Sequence, residues 1–87
     1  MAAERFTATE ETVVRIWTTI LGVTPTSGDA DFFDLGGQSL GLVRFLQEVW
    51  DLYQVEVDIA DLFEDDFTVA ASARAIDRAR AAAVAGR

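Results

Sequence analysis

The sequence predicts an all-α protein, a small four-helix bundle with three main helices and one short third helix. Apolar residues recur at intervals of three and four in three separate segments, which is typical of a buried helix face. A residue suited to cap a helix precedes each of these segments. The chain has 87 residues, of which 51% are apolar, and this suffices for one hydrophobic core only. We therefore expect residues 1–87 to form a single domain.

The first predicted helix follows Thr7, which begins the sequence Thr-Ala-Thr-Glu. In this capping-box pattern the side chains of Thr7 and Glu10 satisfy free backbone donors of the first turn. Gly22 and Pro25 are expected to end the helix. Its apolar face is predicted to comprise Val13, Ile16, Trp17, Ile20 and Leu21.

The connection from Gly22 to Gln38 is long for so small a domain, and such loops are usually functional or mobile. It contains three apolar residues that we expect to anchor it against the core: Phe32, Phe33 and Leu35. Its acidic residues Asp29 and Asp31 have the Asp-x-Asp spacing with which a calcium-binding loop begins. The spacing then changes at Asp34, and no glutamate stands at the bidentate position, so calcium binding is not favoured.

A second helix is predicted to begin at Ser39. Its apolar stripe is wide, which indicates burial on several sides or an exposed contact patch. Trp50 is assigned to the core, as is Trp17, because large aromatic residues at helical spacing are normally buried. The stripe consists of Leu42, Phe45, Leu46, Val49 and Tyr53, widened by Leu40, Val43 and Trp50.

The sequence after Tyr53 predicts an extended connector and two further helices. Residues 55–59 alternate like a strand, but five residues without a partner strand favour a connector. A short third helix is predicted from Ile59 to Phe63, entered through Asp58. The fourth is expected to follow Thr68 as N-cap and to end at Gly86, with an inner face of Val69, Ala73, Ile76, Ala83 and, less clearly, Ala79.

Composition excludes several functions. The chain lacks cysteine and histidine, so disulfides, thiolate chemistry and a Ser–His–Asp triad are impossible. A net charge of −8 repels phosphate backbones, which argues against nucleic-acid binding and favours a monomer. No apolar run reaches the length of a membrane span, and the first residues do not form a signal peptide. We expect a cytoplasmic protein that binds no membrane.

Ser39 is the remaining candidate for chemistry, and two interpretations compete. A serine before an apolar helical run is usually an N-cap that contributes about 1 kcal/mol. The preceding glycines, Gly36 and Gly37, permit a tight turn, and they also leave the hydroxyl accessible to another protein. The N-terminus of a helix is in addition favourable for a phosphate group.

The segment "DFFDLGGQSL", residues 31–40, resembles the DxFFxLGGxSL signature of peptidyl carrier proteins, the thiolation domains of nonribosomal peptide synthesis. Downstream, "VEVDIADLFED" is similar to the connector and short third helix of that family. "FTVAASARAI" is similar to the start of its last helix. The resemblance covers roughly residues 7–78 and implies an acyl-carrier-protein-like fold. The combination is far more specific than LGGxS alone.

The resemblance implies that Ser39 is the attachment point of a 4′-phosphopantetheine arm, with Gly37 and Leu40 beside it. A separate phosphopantetheinyl transferase would transfer the arm from coenzyme A. An adenylation enzyme would load an amino or aryl acid as a thioester, and condensation, tailoring or thioesterase enzymes would accept it. The chain itself would be a carrier and not an enzyme, because its partners supply the catalytic groups.

The resemblance also implies which residues contact partner enzymes, by their positions relative to the family motif. Gln38 and Leu40 are expected at the partner interface, extended by Leu42 or Val43. In the third helix Ile59 and Leu62 would add to it, whereas Phe63 suits the core equally well.

Three features depart from the family pattern. Gln38 stands where peptidyl carriers most often have His or Asp. Gly41 lies in the first turn of the second helix, where glycine costs up to about 1 kcal/mol relative to alanine. It would thin the surface for a docking partner or simply be tolerated. "LFEDDFTV" has one residue more than the usual "LFExPTV" and lacks its proline, so the loop before the last helix should differ.

Other functional hypotheses stay open. An acyl carrier of polyketide or fatty acid synthesis shares the fold and the arm, although it more often has Asp-Ser-Leu at the attachment site. An acidic helical interaction module would use Ser39 only as a cap, and a hydrolase would lack a base to activate it. The sequence does not name the cargo. A Met1 start and a complete last helix favour a free-standing carrier, although a piece of a synthetase would look the same.

Overall fold

A computed structural model of the protein describes residues 5–63 and 66–85. These residues form four helices: α1 (Ala8–Leu21), α2 (Ser39–Tyr53), α3 (Ile59–Leu62) and α4 (Val69–Ala85). Within the same ranges β pairing is limited to one isolated antiparallel bridge between Asp31 and Thr68. The predicted all-α fold with a short third helix is confirmed, and residues 55–58 connect α2 to α3 without forming helix or strand.

Side chains cap three of the helices, as predicted. The Thr7 hydroxyl accepts from the Glu10 backbone N–H at 3.1 Å, and the Glu10 carboxylate accepts from the Thr7 N–H at 2.8 Å. Asp58 accepts from the backbone N–H of Ala60 at 2.9 Å at the start of α3. The Thr68 hydroxyl accepts from the backbone N–H of Ala71 at 3.0 Å at the start of α4. The predicted end of the last helix at Gly86 lies outside the described residues.

The core is built around an aromatic cluster. Trp17 is fully buried, and the rings of Phe32, Phe45 and Phe67 meet it edge-on at centroid distances of 5.2, 6.4 and 5.3 Å. Such edge-to-face pairs are favourable beyond their buried area. The predicted inner faces surround this cluster, with Val13, Ile16, Val49, Val69, Ala73 and Ile76 all buried. Ala79 is partly buried against the core, whereas Ala83 is exposed, so its assignment to the inner face of the last helix is wrong.

Trp50 does not belong to the core, contrary to the sequence prediction. Its side chain is 47% exposed, whereas Phe45 and Val49 on the same helix are fully buried. Helix α2 packs against α1, and α4 packs against α1 and α3. The neighbouring elements therefore cover only part of the wide apolar stripe of α2. Trp50 lies outside the covered part.

The long loop between α1 and α2 is held against the start of α4. The Phe32 N–H donates to the carbonyl of Phe67 at 2.8 Å, and the Val69 N–H donates to the carbonyl of Ala30 at 3.1 Å. Of the predicted anchors, Phe32 is fully buried and Leu35 packs partly buried against the core, whereas Phe33 stays half-exposed. These contacts fix the position of the loop where it joins the start of α2.

None of the helices formed by residues 5–63 and 66–85 combines the length and the apolar character needed to cross a lipid bilayer.

Candidate attachment site

Ser39 is the first residue of α2 and its side chain is exposed. The N-cap is Gln38, whose backbone is extended (φ −129°, ψ 170°) and whose carbonyl accepts the first helical bond from the Leu42 N–H at 3.1 Å. The interpretation of Ser39 as an N-cap is therefore wrong, because a cap must precede the first helical residue. Among the described residues, no hydrogen bond engages the Ser39 hydroxyl.

The start of α2 has no side-chain cap, unlike the starts of the other three helices in the described part of the chain. The Gln38 side chain makes no hydrogen bond to the first turn. The first N–H groups of a helix have no partner within it and carry partial positive charge. An anionic group attached to Ser39 would therefore lie beside donors that no neighbouring side chain already occupies.

The glycines before Ser39 have two distinct structural roles. Gly36 adopts φ +100°, a conformation that residues with a Cβ rarely take. Gly37 lies directly over the buried Phe32, and its N–H donates to the Phe32 carbonyl at 2.9 Å. A Cβ on Gly37 would approach that carbonyl oxygen to 2.7 Å and the Phe32 ring more closely still. The turn therefore needs glycine for packing as well as for access to the hydroxyl.

Gly41 belongs to the same packing unit. A Cβ there would lie 2.9 Å from Cζ of Phe32 and 3.2 Å from Cγ2 of Ile20. The glycine in the first turn of α2 is thus explained by the ring beneath it, a contact for which the sequence contains no local signal.

The predicted contact residues divide by burial. Leu40 is 71% exposed, and Val43 and Ile59 are also exposed, so all three are accessible to a partner. Leu42 packs partly buried against the core, which favours Val43 as the residue that extends the patch. Leu62 is fully buried, so its assignment as a partner contact is wrong. In a helix of four residues packed on α4, one side chain must point inward, and that side chain is Leu62.

An aromatic pair lies at the surface between the long loop and α3. The rings of Phe33 and Phe63 stack at 6.2 Å with an interplanar angle of 20°, and both are half-exposed. Both also contact the buried ring of Phe67, at 5.8 and 5.6 Å. Periodicity left the position of Phe63 open and did not reveal Phe67, whose contacts with Trp17, Phe32 and Phe45 place it at the centre of the core. The unusual loop "EDDFTV" was the signal that could have found it, because it places an apolar residue directly before the Thr68 cap.

This geometry defines a class of protein: a small helical domain that holds an exposed serine hydroxyl at an uncapped helix start. The sequence profile of the family described as "Phosphopantetheine attachment site" matches residues 11–76. The chain is 37% identical over 78 residues to a linear gramicidin synthase of Brevibacillus parabrevis, and the match covers 90% of this chain. It is 42% identical over 67 residues, 71% of the chain, to a polyketide synthase–nonribosomal peptide synthetase of Aspergillus flavipes. It spans only 2% of the length of either relative.

Solved structures agree with this assignment. The fold matches a peptidyl carrier protein in a complex with the phosphopantetheine transferase Sfp and coenzyme A, with a TM-score of 0.76 and 28% identity. That match covers 88% of this chain and 99% of the other. The adenylation–carrier structure of McyG with phenylalanyl-adenylate matches with a TM-score of 0.68 and 30% identity, over 79% of this chain and 11% of the other.

The chain therefore belongs to the phosphopantetheine attachment site family. Within that family it is a peptidyl carrier, or thiolation, domain of the kind found in nonribosomal peptide synthesis, and its cofactor is covalently bound phosphopantetheine.

Proposed function

We propose that Ser39 is the residue that carries the phosphopantetheine arm, and that residues 1–87 act as one non-catalytic carrier domain. The observation that supports this most strongly is the position of Ser39. Its hydroxyl is exposed on the first residue of α2, two positions after Gly37, and no residue in the described part of the chain forms a hydrogen bond with it. Ser72 is fully buried, and the remaining serine, Ser27, accepts a hydrogen bond from the Asp29 N–H at 3.1 Å within the loop.

The residues present fit the cofactor. The phosphate of a phosphoserine diester at Ser39 would face the free N–H groups of the first turn of α2, where the helix dipole favours negative charge. Gly37 leaves the approach to the hydroxyl open on the N-terminal side, and no acidic side chain occurs in the first turn of α2 to repel the phosphate. When bound, the arm supplies the terminal thiol that the cysteine-free chain lacks.

The chemistry at Ser39 is a phosphoryl transfer. Its Oγ attacks the β-phosphorus of coenzyme A, an O–P bond forms, and adenosine 3′,5′-bisphosphate leaves as the bond to its phosphate breaks. The hydroxyl proton goes to a base of the transferase, since this chain contains no histidine or cysteine. The role of Ser39 is thus to present a reachable nucleophile, while the phosphopantetheinyl transferase supplies the base and the metal.

We further propose that an adenylation enzyme loads an amino or aryl acid onto the arm and that condensation, tailoring or thioesterase enzymes receive it. The surface that these partners would contact comprises the exposed residues Gln38, Leu40 and Val43 beside Ser39 and the exposed Ile59 of α3. The acidic surface of the chain favours partner sites lined with basic residues. Because coenzyme A and ATP-dependent loading are intracellular, we place this work in the cytoplasm.

Intact-mass spectrometry tests the attachment. The protein is incubated with coenzyme A, magnesium and a promiscuous phosphopantetheinyl transferase, and the parent should gain one phosphopantetheine. Ser39→Ala should gain none, while Ser27→Ala should gain one as efficiently as the parent. Because the Ser39 hydroxyl makes no hydrogen bond to residues 5–63 or 66–85, Ser39→Ala should keep its unfolding free energy within about 0.5 kcal/mol of the parent value.

Two results would contradict the proposal: no mass gain in the parent, or an unchanged gain in a folded Ser39→Ala protein. A second assay separates the peptidyl from the acyl branch. The modified protein is offered to amino-acid-adenylating enzymes and to malonyl transferases, and loading by an adenylating enzyme is the expected outcome.

A further inference from the structure

A surface groove lies between α1 and α2, and the attachment chemistry leaves it unexplained. Its volume is about 340 Å³, toward the lower end of the range of small-molecule sites. Its apolar lining comes from Ile16 and Ile20 of α1 and from Leu52 of α2. Ile16 is buried, whereas the side chain of Leu52 is 57% exposed. The groove therefore has an apolar surface that a ligand can cover.

Two arginines from different helices line this groove, Arg15 of α1 and Arg44 of α2. They are the only basic residues between positions 6 and 73, a stretch that contains thirteen acidic residues. Within residues 5–63 and 66–85 neither guanidinium forms an ion pair, and Arg15 donates one long hydrogen bond, 3.4 Å, to the Thr12 hydroxyl. The groove is thus a positive site on an acidic chain, with guanidinium donors available to an anion.

The same groove also offers hydrogen-bond acceptors. Glu48 lines it one helical turn after Arg44, so the two arginines and this glutamate leave one net positive charge in the lining. The Thr19 hydroxyl, also in the lining, donates its proton to the backbone carbonyl of Arg15 at 3.2 Å, so its oxygen can still accept. One carboxylate balances the charge, and peptide N–H groups match the acceptors. A phosphate dianion would lie beside Glu48 and has no donor for either acceptor.

The groove lies on the side of α2 that faces away from Ser39. Arg44, Glu48 and Leu52 are spaced by four residues and form one stripe along the helix. At 3.6 residues per turn this stripe is about 140° or more around the axis from Ser39, whereas Val43 lies within about 40° of it. A ligand in the groove therefore leaves the Ser39 hydroxyl and the exposed residues beside it free.

We propose that this groove binds a short acidic peptide segment of a partner protein, with one Glu or Asp carboxylate held between Arg15 and Arg44. An apolar side chain next to that carboxylate packs on Leu52, and backbone N–H groups of the segment donate to Thr19 and Glu48. The inference goes beyond the carrier function and does not depend on modification of Ser39.

The size of the groove selects an extended segment. A helix with its side chains is about 10–12 Å across, which a volume of about 340 Å³ does not admit. A second copy of this chain would need a far larger contact to form a stable dimer. A contact this small is weak and reversible, and it becomes effective when the segment belongs to a protein already held near the carrier. The groove would thus keep a partner in place while Ser39 and its arm remain accessible.

An NMR titration of the unmodified protein provides the test, so its outcome is independent of attachment at Ser39. The probe is the N-acetylated, C-amidated peptide Gly-Leu-Glu-Leu-Gly, added up to about 5 mM because so small a contact binds weakly. The comparison peptide replaces its Glu by Gln. Backbone amide shifts of the ¹⁵N-labelled protein report the site and the affinity, and the spectra also verify that each variant is folded.

The Glu peptide should shift the amides of Thr19, Arg44 and Leu52, and the Gln peptide should bind about five-fold more weakly. Arg15→Gln and Arg44→Gln should each weaken the Glu peptide about five-fold, and Arg44→Lys should weaken it less. Arg80→Gln removes the same charge outside the groove and is the matched control.

Two further variants test the acidic and apolar parts of the lining. Glu48→Gln should tighten the Glu peptide about two-fold, because it removes a like charge. Leu52→Gln should weaken binding, while Val43→Gln, a residue of equal exposure on another side of α2 (58% against 57%), should not.

Four results would overturn the inference. The first is no localised shift with the Glu peptide at the highest concentration. The second is equal affinity for the Glu and Gln peptides, or affinity that both arginine variants leave unchanged. The third is a shift of the same amides by inorganic phosphate or coenzyme A at lower concentration than the peptide, which would make the groove a small-anion site. The fourth is a shift of these amides on dilution of the protein alone, which would identify a second copy of the chain as the occupant.

Discussion

Replacing Gly37 with alanine should destabilise the protein by wedging a methyl group against Phe32. The new Cβ would lie 2.7 Å from the Phe32 carbonyl oxygen and closer still to two atoms of its ring. Real Cβ atoms do not tolerate such approaches, so either the ring or the turn must move.

Neither the Phe32 ring nor the turn at Gly37 can move easily. The Phe32 ring is fully buried and contacts Trp17 at 5.2 Å and Phe67 at 4.8 Å. The nearby carbonyl oxygen is backbone and accepts the Gly37 N–H at 2.9 Å. Overpacking of a rigid core costs about 1–3 kcal/mol, and we expect the upper half of that range here. In a domain of this size such a loss lowers the melting temperature by about 10–20 °C.

The assay is urea unfolding followed by the fluorescence of the buried Trp17, arranged as a double-mutant cycle. Gly37→Ala should cost at least about 1 kcal/mol less in a Phe32→Leu background, because the shorter side chain makes room for the methyl group. Gly36→Ala is the matched control. A Cβ there meets no atom within 4 Å, but φ is +100°. Its loss of about 1–3 kcal/mol comes from backbone strain, and Phe32→Leu should not relieve it.

The steric explanation would be refuted by a Gly37→Ala protein within about 0.5 kcal/mol of the parent. It would equally be refuted if Phe32→Leu failed to rescue Gly37→Ala, or rescued both alanine variants to the same extent.

Two further substitutions test the elements that place the loop. Asp31→Ala removes the carboxylate that accepts from the backbone N–H groups of Phe33 at 2.8 Å and Asp34 at 3.1 Å, and should cost about 1–2 kcal/mol in urea unfolding. Asp31→Asn keeps an acceptor oxygen and should recover more than half of that loss; no recovery would exclude the turn as the cause. Thr68→Ala removes the cap of α4 and should cost about 1 kcal/mol, whereas Thr68→Ser should restore most of it. A serine variant as unstable as the alanine variant would show that the cap is not responsible.

Local sequence signals predicted the helices well. The capping box at Thr7, the N-caps at Asp58 and Thr68 and the glycine after α1 act within a few residues of one another. Their physics is therefore contained in the sequence they occupy. The identity of the candidate site was likewise visible, because the spacing of the glycines, Ser39 and Leu40 is a local pattern.

The errors arose where a residue's environment depends on distant segments. Trp50 and Leu62 both lie on apolar helical stripes, yet one is half-exposed and the other fully buried. Periodicity shows that a face is apolar, but it does not show which part of that face a neighbouring helix covers. The N-cap of α2 is Gln38 and not Ser39, one residue earlier than the cap interpretation placed it. The position of the cap depends on the geometry of the preceding turn, which the sequence pattern does not specify.

The sequence by itself determined a four-helix carrier domain, its helix caps and the serine at which its cofactor is expected, because these follow from short-range hydrogen bonding, periodicity and a local motif. The tertiary structure alone decided that Phe32 lies beneath Gly37 and Gly41 and that Phe67 joins the aromatic core. It also decided that Trp50 is half-exposed and borders an open groove with Val55, Val57 and Ile59. Those features are produced by packing between segments far apart in the chain, whose distances no local pattern records.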